Sequence, residues 1–231
     1  MSFTAAYVMQ QVGRIVQDVD AVRWSAPELA DYINDGLNEI VRLKPNAHPE
    51  TITIDLTSGT KQTVPAGYLT ISRAIRNIAS DDSPGRMIDT LTSLELMNDL
   101  WPGWHTTSVL PFRALVAAVV HDIADPRTFY VAPGNDGTGR IEAMVGSYPT
   151  AITLTANSDP TTYTETVDIA DVYRMPLVNY VTHRCYAKDA LVPGAAERSA
   201  AHLALFNEAI IGFAAVEAAT TISGKDKVGE T

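Results

Sequence analysis

Apolar residues recur at helical spacing near both ends of the chain and at strand spacing through its middle. Ala5, Val8, Val12, Ile15, Val19 and Val22 follow one another by three or four, which predicts a first helix over roughly Thr4 to Val19. The next stretch, Arg23-Trp24-Ser25-Ala26-Pro27-Glu28-Leu29, opens a second helix that runs to about Leu43. Ser25 and Glu28 have the spacing of a capping box, in which the hydroxyl accepts from the Glu28 N–H and the carboxylate from the Ser25 N–H. Pro27 falls where a missing donor does no harm, and Lys44-Pro45 ends the helix because a residue before proline is steered out of the helical region. Leu29, Tyr32, Ile33, Leu37, Ile40 and Val41 form its apolar stripe. With a connector as short as Asp18 to Arg23, the two helices fold back as an antiparallel pair. Two stripes cannot bury each other completely, so partners must come from further along the chain.

From Glu50 the period changes to two. Thr51 to Leu56 alternates strictly, Thr57-Ser58-Gly59-Thr60 has turn chemistry, and Lys61 to Val64 resumes the alternation, which predicts a β-hairpin. Tyr68 to Ile78 and Arg86 to Ile88 are further extended segments, and Thr92-Ser93-Leu94-Glu95 repeats the capping pattern ahead of a short helix. Leu115 to His121, Thr128 to Val131 and Arg140 to Tyr148 complete the pattern, with Pro133 to Gly137 as the loop of a second hairpin and Ile152 to Thr155 as one more candidate. The middle of the chain therefore predicts a β module of about six to eight strands carrying one short helix.

Helical period returns with Leu177, Tyr180, Val181, Cys185 and Lys188, any turn over Asp171 to Arg174 being separated from this helix by Pro176. After Pro193-Gly194 a last, alanine-rich helix carries Leu203, Phe206, Ile210, Phe213 and Glu217. The economical architecture is α+β: a four-helix bundle made from both chain ends, residues 1–50 and 166–220, with a β-rich, sandwich-like domain inserted over 51–165. Residues 221–231 are polar and read as a flexible tail.

Of the 231 residues 46% are hydrophobic and 19% charged, an ordinary globular balance. No uninterrupted apolar run reaches the roughly 18 residues of a spanning helix, the nearest being Ala209 to Ala219 with Glu217 inside it, so no membrane partner is expected. No charged stretch leads an apolar run at the N-terminus, and the single Cys185 suits a reducing compartment. The net charge is −10, and no part of the chain gathers the clustered cations that hold a phosphate backbone. DNA sliding past such a surface would be repelled rather than held.

Candidate chemistry is thin. Cys185 and His183 lie on the order of 200° apart around a helix, too far to act as a nucleophile and its base. His121, Asp122 and Asp125 hint at a metal, but they lead into an Asp-Pro turn where aspartates serve local hydrogen bonds. Gly134 to Gly139 is glycine-rich, yet a strand rather than a helix follows it, which favours a hairpin loop over a phosphate cradle. Trp101 and Trp104, around Pro102-Gly103, offer an aromatic surface for a sugar or a base, or a plug for a small core. The chain has none of the standard hydrolase or metalloprotease motifs, so no enzyme, cofactor or metal is expected.

Several stretches together carry a resemblance. Val22-Arg23-Trp24-Ser25-Ala26-Pro27-Glu28-Leu29 with Tyr32-Ile33-Asn34-Asp35 and Glu39 to Pro45, then Pro102-Gly103-Trp104-His105, Asp125 to Val131, and Leu177 to Val181 with Tyr186-Ala187-Lys188-Asp189, resemble in order and spacing the tailed-phage head-to-tail adaptor (connector) proteins. The resemblance implies a structural virion protein made in the host cytoplasm: a ring, usually of twelve subunits, that binds the portal above and a tail or nozzle protein below and continues the channel for double-stranded DNA without specific binding. It also makes the portal, or a neighbouring subunit, the expected contact of the tail, with Lys225 and Lys227 as charge contacts. The competing expectation is a carbohydrate- or receptor-binding β module, using the Trp101 to Trp104 loop, on a helical anchor.

Overall fold

The computed structural model describes residues 2–89, 94–121, 125–189 and 192–220. Its fold is α+β, with five α-helices and two antiparallel sheets among those residues. The chain divides into two compact units, residues 1–44 with 149–231, and residues 45–148.

In the first unit, α1 spans Ala5–Val16, α2 Ala26–Leu43, α4 Arg174–Lys188 and α5 Ala195–Thr220. Helix α1 stops earlier than its apolar spacing predicts: Gln17 takes a left-handed φ of 61°, and Val19 and Val22 lie outside the helix at 65% and 84% exposure. Helix α4 is the common partner. Helices α1 and α2 pack on it and on each other, whereas α5 packs on α4 without comparable contact to α1 or α2. Leu177, Val178, Val181 and Cys185 of α4 are fully buried, and Val8, Met9 and Val12 of α1, Ile33 and Leu37 of α2, and Phe206 of α5 are at most 2% exposed. Gly36 is what lets α2 and α4 approach: a Cβ there would sit 2.6 Å from Leu177 Cδ1. A turn of 3-10 helix at Asp171–Tyr173 runs directly into α4, and Pro176 does not separate the two: it lies in the first turn of α4, where its missing N–H does no harm.

Residues 149–165 belong to the same compact unit as the helices. The first N–H groups of α1 lack partners in their own helix. Ala5 donates to the Glu165 carbonyl (3.0 Å), Ala6 to the Tyr163 carbonyl (2.8 Å), and Val167 in turn donates to Phe3 (2.9 Å). Ile152 to Thr155 forms no strand.

The second unit holds β1 (Pro49–Asp55), β2 (Gly59–Thr63), β3 (Tyr68–Ile78), β4 (Pro84–Met87), α3 (Leu94–Leu100), β5 (Ala118–His121), β6 (Thr128–Asn135) and β7 (Arg140–Ser147). One sheet has the order β1-β7-β3-β4 and the other β2-β6-β5, all antiparallel. Neither predicted hairpin forms. Strand β1 pairs with β7 and β2 with β6, so the turns after Leu56 and after Asn135 are corners that pass from one sheet to the other. Alternation shows which side chains enter the core, and a core shared by two sheets satisfies it equally well from either. Ile54, Leu56, Val64, Ile71, Phe129, Val131, Ile141 and Val145 make that shared core. A second cluster, Met97, Trp104, Val120 and Ala132, covers the other face of the β2-β6-β5 sheet, which leaves the central β6 buried on both sides.

Candidate functional site

The predicted cap at the start of α2 is built differently from its sequence signature. Ser25 occupies the N-cap position and its carbonyl accepts from Leu29 N–H (2.9 Å), but its hydroxyl makes no cap bond. The Glu28 carboxylate holds Lys188 Nζ at 2.7 and 2.8 Å and accepts from the Tyr32 hydroxyl at 2.7 Å. Burial and that hydrogen bond push the Tyr32 phenol up from its ordinary value. The side chain that organises the approach to α2 lies upstream, in a residue whose role the sequence pattern hid. Asp18 accepts from the N–H groups of Val22 (3.0 Å), Arg23 (2.9 Å) and Trp24 (3.0 Å), and so shapes the whole α1–α2 turn. Trp24 is then buried, its indole N–H donating to the Cys185 carbonyl at 3.2 Å.

Cys185 itself is fully buried, and burial pushes its thiol up to about 12, the opposite of an activated nucleophile. His183 turns away to α5, where its Nδ1 meets the Ser199 hydroxyl at 2.9 Å. His202 Nδ1 lies 3.0 Å from Asn179 Oδ1, and burial, then the nearby His183, hold its pKa below the ordinary histidine range. These contacts fasten α5 to α4. They bring no carboxylate to either imidazole.

In the second unit, His121 ends β5 and is held below its usual pKa by burial. Asp125 accepts from Thr128 Oγ1 (2.6 Å) and the Arg127 N–H (3.1 Å), the local turn role its sequence implied; Asp122 lies outside the described residues. Among the described residues no group of three or more histidine, cysteine or acidic side chains is arranged to hold a metal. Gly134 to Gly139 runs from the end of β6 through the corner into β7, and its organiser is the fully buried Asn135. Asn135 donates to the Arg113 and Ala114 carbonyls and accepts from the N–H groups of Gly137 and Gly139.

The two tryptophans separate. Trp104 is fully buried, with its indole N–H on Asn98 Oδ1 (3.0 Å) and its ring 4.0 Å from that of His105, so it plugs the small core. Trp101 is 55% exposed and forms part of the wall of a cleft of about 460 Å³, with Arg86, Met97, Leu110 and Pro133 among the other lining residues. An aromatic surface made of both does not exist. Thr92, Ser93, Lys225 and Lys227 lie outside the described residues.

Two surface features remain. Helix α5 is apolar and long enough, over Ala195–Val216, to meet the length and composition of a membrane span, although no apolar run in the sequence suggested one. Ser199, His202, Asn207 and Glu208 dilute the run without making the helix amphipathic. In the second unit, the side chains of Arg86 and Arg113 have no hydrogen-bond or ion-pair partner among the described residues.

The chain thus pairs helices from both of its ends and carries two antiparallel sheets between them in sequence. The profile of the SU10 adaptor protein family matches residues 3–224, and the chain belongs to that family of tailed-phage head-to-tail adaptors. No curated protein matches it. Its class is therefore that of a structural adaptor, and the family implies a virion component of the head-tail junction that assembles with portal and tail proteins.

Proposed function

We propose that the protein, made in the host cytoplasm, assembles as a twelve-subunit ring under the portal, continues the channel for double-stranded DNA, and receives a tail or nozzle protein on its far side. The observation that carries this reading is the family match across nearly the whole chain. The four helices from the two chain ends act as one bundle that makes the ring, and the β-rich unit is a separable sandwich-like insertion facing other tail components. A net charge of −10 supports passage of DNA without adhesion, since a channel wall poor in clustered cations offers phosphates no counterion exchange. Residues 221–231 would serve as a strap from the end of α5, with Lys225 and Lys227 meeting the portal, or a neighbouring subunit, because segments that order on binding wrap surfaces a rigid face cannot.

The test is to mix the purified protein with isolated portal rings and measure particle mass and shape by mass photometry and electron microscopy. A complex with a stacked second ring and an open central channel is expected. Portal rings that gain no mass at micromolar adaptor would overturn the reading. Truncation after residue 220 should weaken that complex while leaving the melting temperature of the free subunit unchanged.

The exposed Trp101, beside its cleft, favours a second reading in which the β-rich unit binds a carbohydrate or receptor. Binding to a glycan array that is lost in Trp101→Ala, without portal binding, would support it over the first.

A further inference from the structure

Helix α5 has one buried stripe and no polar face opposite it. Ala195, Ser199, Phe206 and Ile210 are buried, and Phe206 and Phe213 stack edgewise or tilted on Tyr180 and Tyr173, at 5.2 and 5.4 Å. The outward side exposes Ala201, Ala204, Leu205 (49%), Ile211 (68%), Gly212 and Ala215. Between Ser199 and Val216 the only charged residue is Glu208. A helix that is apolar all round is ordinarily a covered one, and α5 is covered by α4 on one side alone.

We propose that the outward face of α5 is covered by a second copy of the chain, docked through that copy's α1 side with Glu208 of the first against Arg14 of the second. The inference rests on the ring reading and names the contact that would make the ring. Three observations choose this occupant. The first is area: the 18 residues from Ser199 to Val216, at about 1.5 Å each on a cylinder about 11 Å across, present an outward half on the order of 470 Å². That is more than half of the roughly 800 Å² per partner of a standard stable interface. The second is charge. Copies that each carry −10 repel, and α5 from Ser199 to Val216 is a face on which they can approach with a single carboxylate to accommodate.

The third is complementarity. A closed ring needs two different faces on each subunit, and the side of the helical unit formed by α1 differs from α5 in the required way. It exposes Ile15 (39%), Val19 (65%) and Val22 (84%), and a groove of about 590 Å³ there is lined in part by Gln10, Arg14 and Val19. Arg14 and Glu208 are both exposed, and neither side chain has a partner among the described residues. Asp20 and Asp159 also line the groove, so Glu208 is drawn there by direct contact with Arg14 and not by a general positive field. A bilayer is the poorer occupant, since it would bury Glu208 midway along the helix with no counter-ion.

The experiment measures assembled mass against protein concentration, for the free protein and on portal rings, in the full-length wild type and four variants. Ile211→Glu, Glu208→Arg and Arg14→Glu should each raise the concentration needed for assembly by about tenfold or more. The double variant Glu208→Arg with Arg14→Glu should return toward wild type. Circular dichroism and melting of each variant guard against misfolding, and the double variant's recovery could not come from a damaged fold. Rings that form equally well in every single variant would overturn the interface while leaving the ring reading in place. Impaired single variants without recovery in the double would overturn the Arg14 docking. Flotation of the wild type with anionic or neutral phospholipid vesicles, lost in Ile211→Glu, would assign the face to lipid and overturn the proposal. A wild type monomeric both alone and with portal rings would overturn the ring reading and this contact with it.

Discussion

Asn34 and Ile152 exchange two hydrogen bonds: the Asn34 amide donates to the Ile152 carbonyl at 3.0 Å and accepts from its N–H at 2.7 Å. The side chain thereby pairs an irregular segment to α2 as a strand neighbour would, and it holds residues 149–153 with the helices. Asparagine in a helix interior has poor propensity, which is a sign that it serves something outside the helix.

Asn34→Ala leaves both Ile152 backbone groups without their partner and should cost about 1–3 kcal/mol in urea titration. Hydrogen exchange of the Ile152 amide should accelerate by more than the global loss explains. An unchanged titration midpoint would show that the segment is held by its apolar contacts alone.

At the α1–α2 turn, Asp18→Ala removes the acceptor of three N–H groups and should cost about 1–2 kcal/mol. Ser25→Ala removes no bond and should stay within about 0.5 kcal/mol of wild type, despite the capping sequence. Equal effects of the two substitutions, measured in the same denaturant series, would contradict this division of roles.

The tryptophans give a similar contrast. Trp104→Ala empties a fully buried site and should cost about 3–5 kcal/mol, whereas Trp101→Ala should change stability by no more than about 0.5 kcal/mol. Thermal melting followed by near-ultraviolet circular dichroism separates them. A strongly destabilised Trp101 variant would mean that its cleft is structural.

The thiol of Cys185 supplies a pH dependence. Its folded pKa is raised from 9.0 to about 12 by burial, so above pH 9 the unfolded chain ionises first and gains stability relative to the fold. Stability linked to this group should be intact below pH 9 and fall between pH 9 and about 12. Cys185→Ala should flatten that part of the curve, and a thiol reagent at pH 8 should label wild type only as fast as it unfolds. Rapid labelling of native protein would refute the burial argument.

Chain-local chemistry determined where α2 begins and ends, because Pro27 and Pro45 act on their own backbone. The same is true of which strand residues enter the core: Ile54, Leu56, Val64, Phe129 and Val131 are buried as their alternation requires. The change from helical to strand period and back also marked the α+β class. What the sequence left undetermined was the identity of partners. Alternation records that one face of a strand is covered and says nothing of which strand lies beside it, so two apparent hairpins became sheet-to-sheet corners once residues far apart in sequence competed for pairing. Glu28 was spaced for a cap, and a lysine 160 positions away took its carboxylate, since a charged partner outweighs a backbone N–H. Trp101 and Trp104 are three positions apart and chemically alike, and only the packing of Met97, Val120 and Ala132 around one of them made that one a core residue. The missing polar face of α5 was equally present in the sequence, but its consequence depended on tertiary structure: had α1 and α2 closed over it, the helix would have been an ordinary core element.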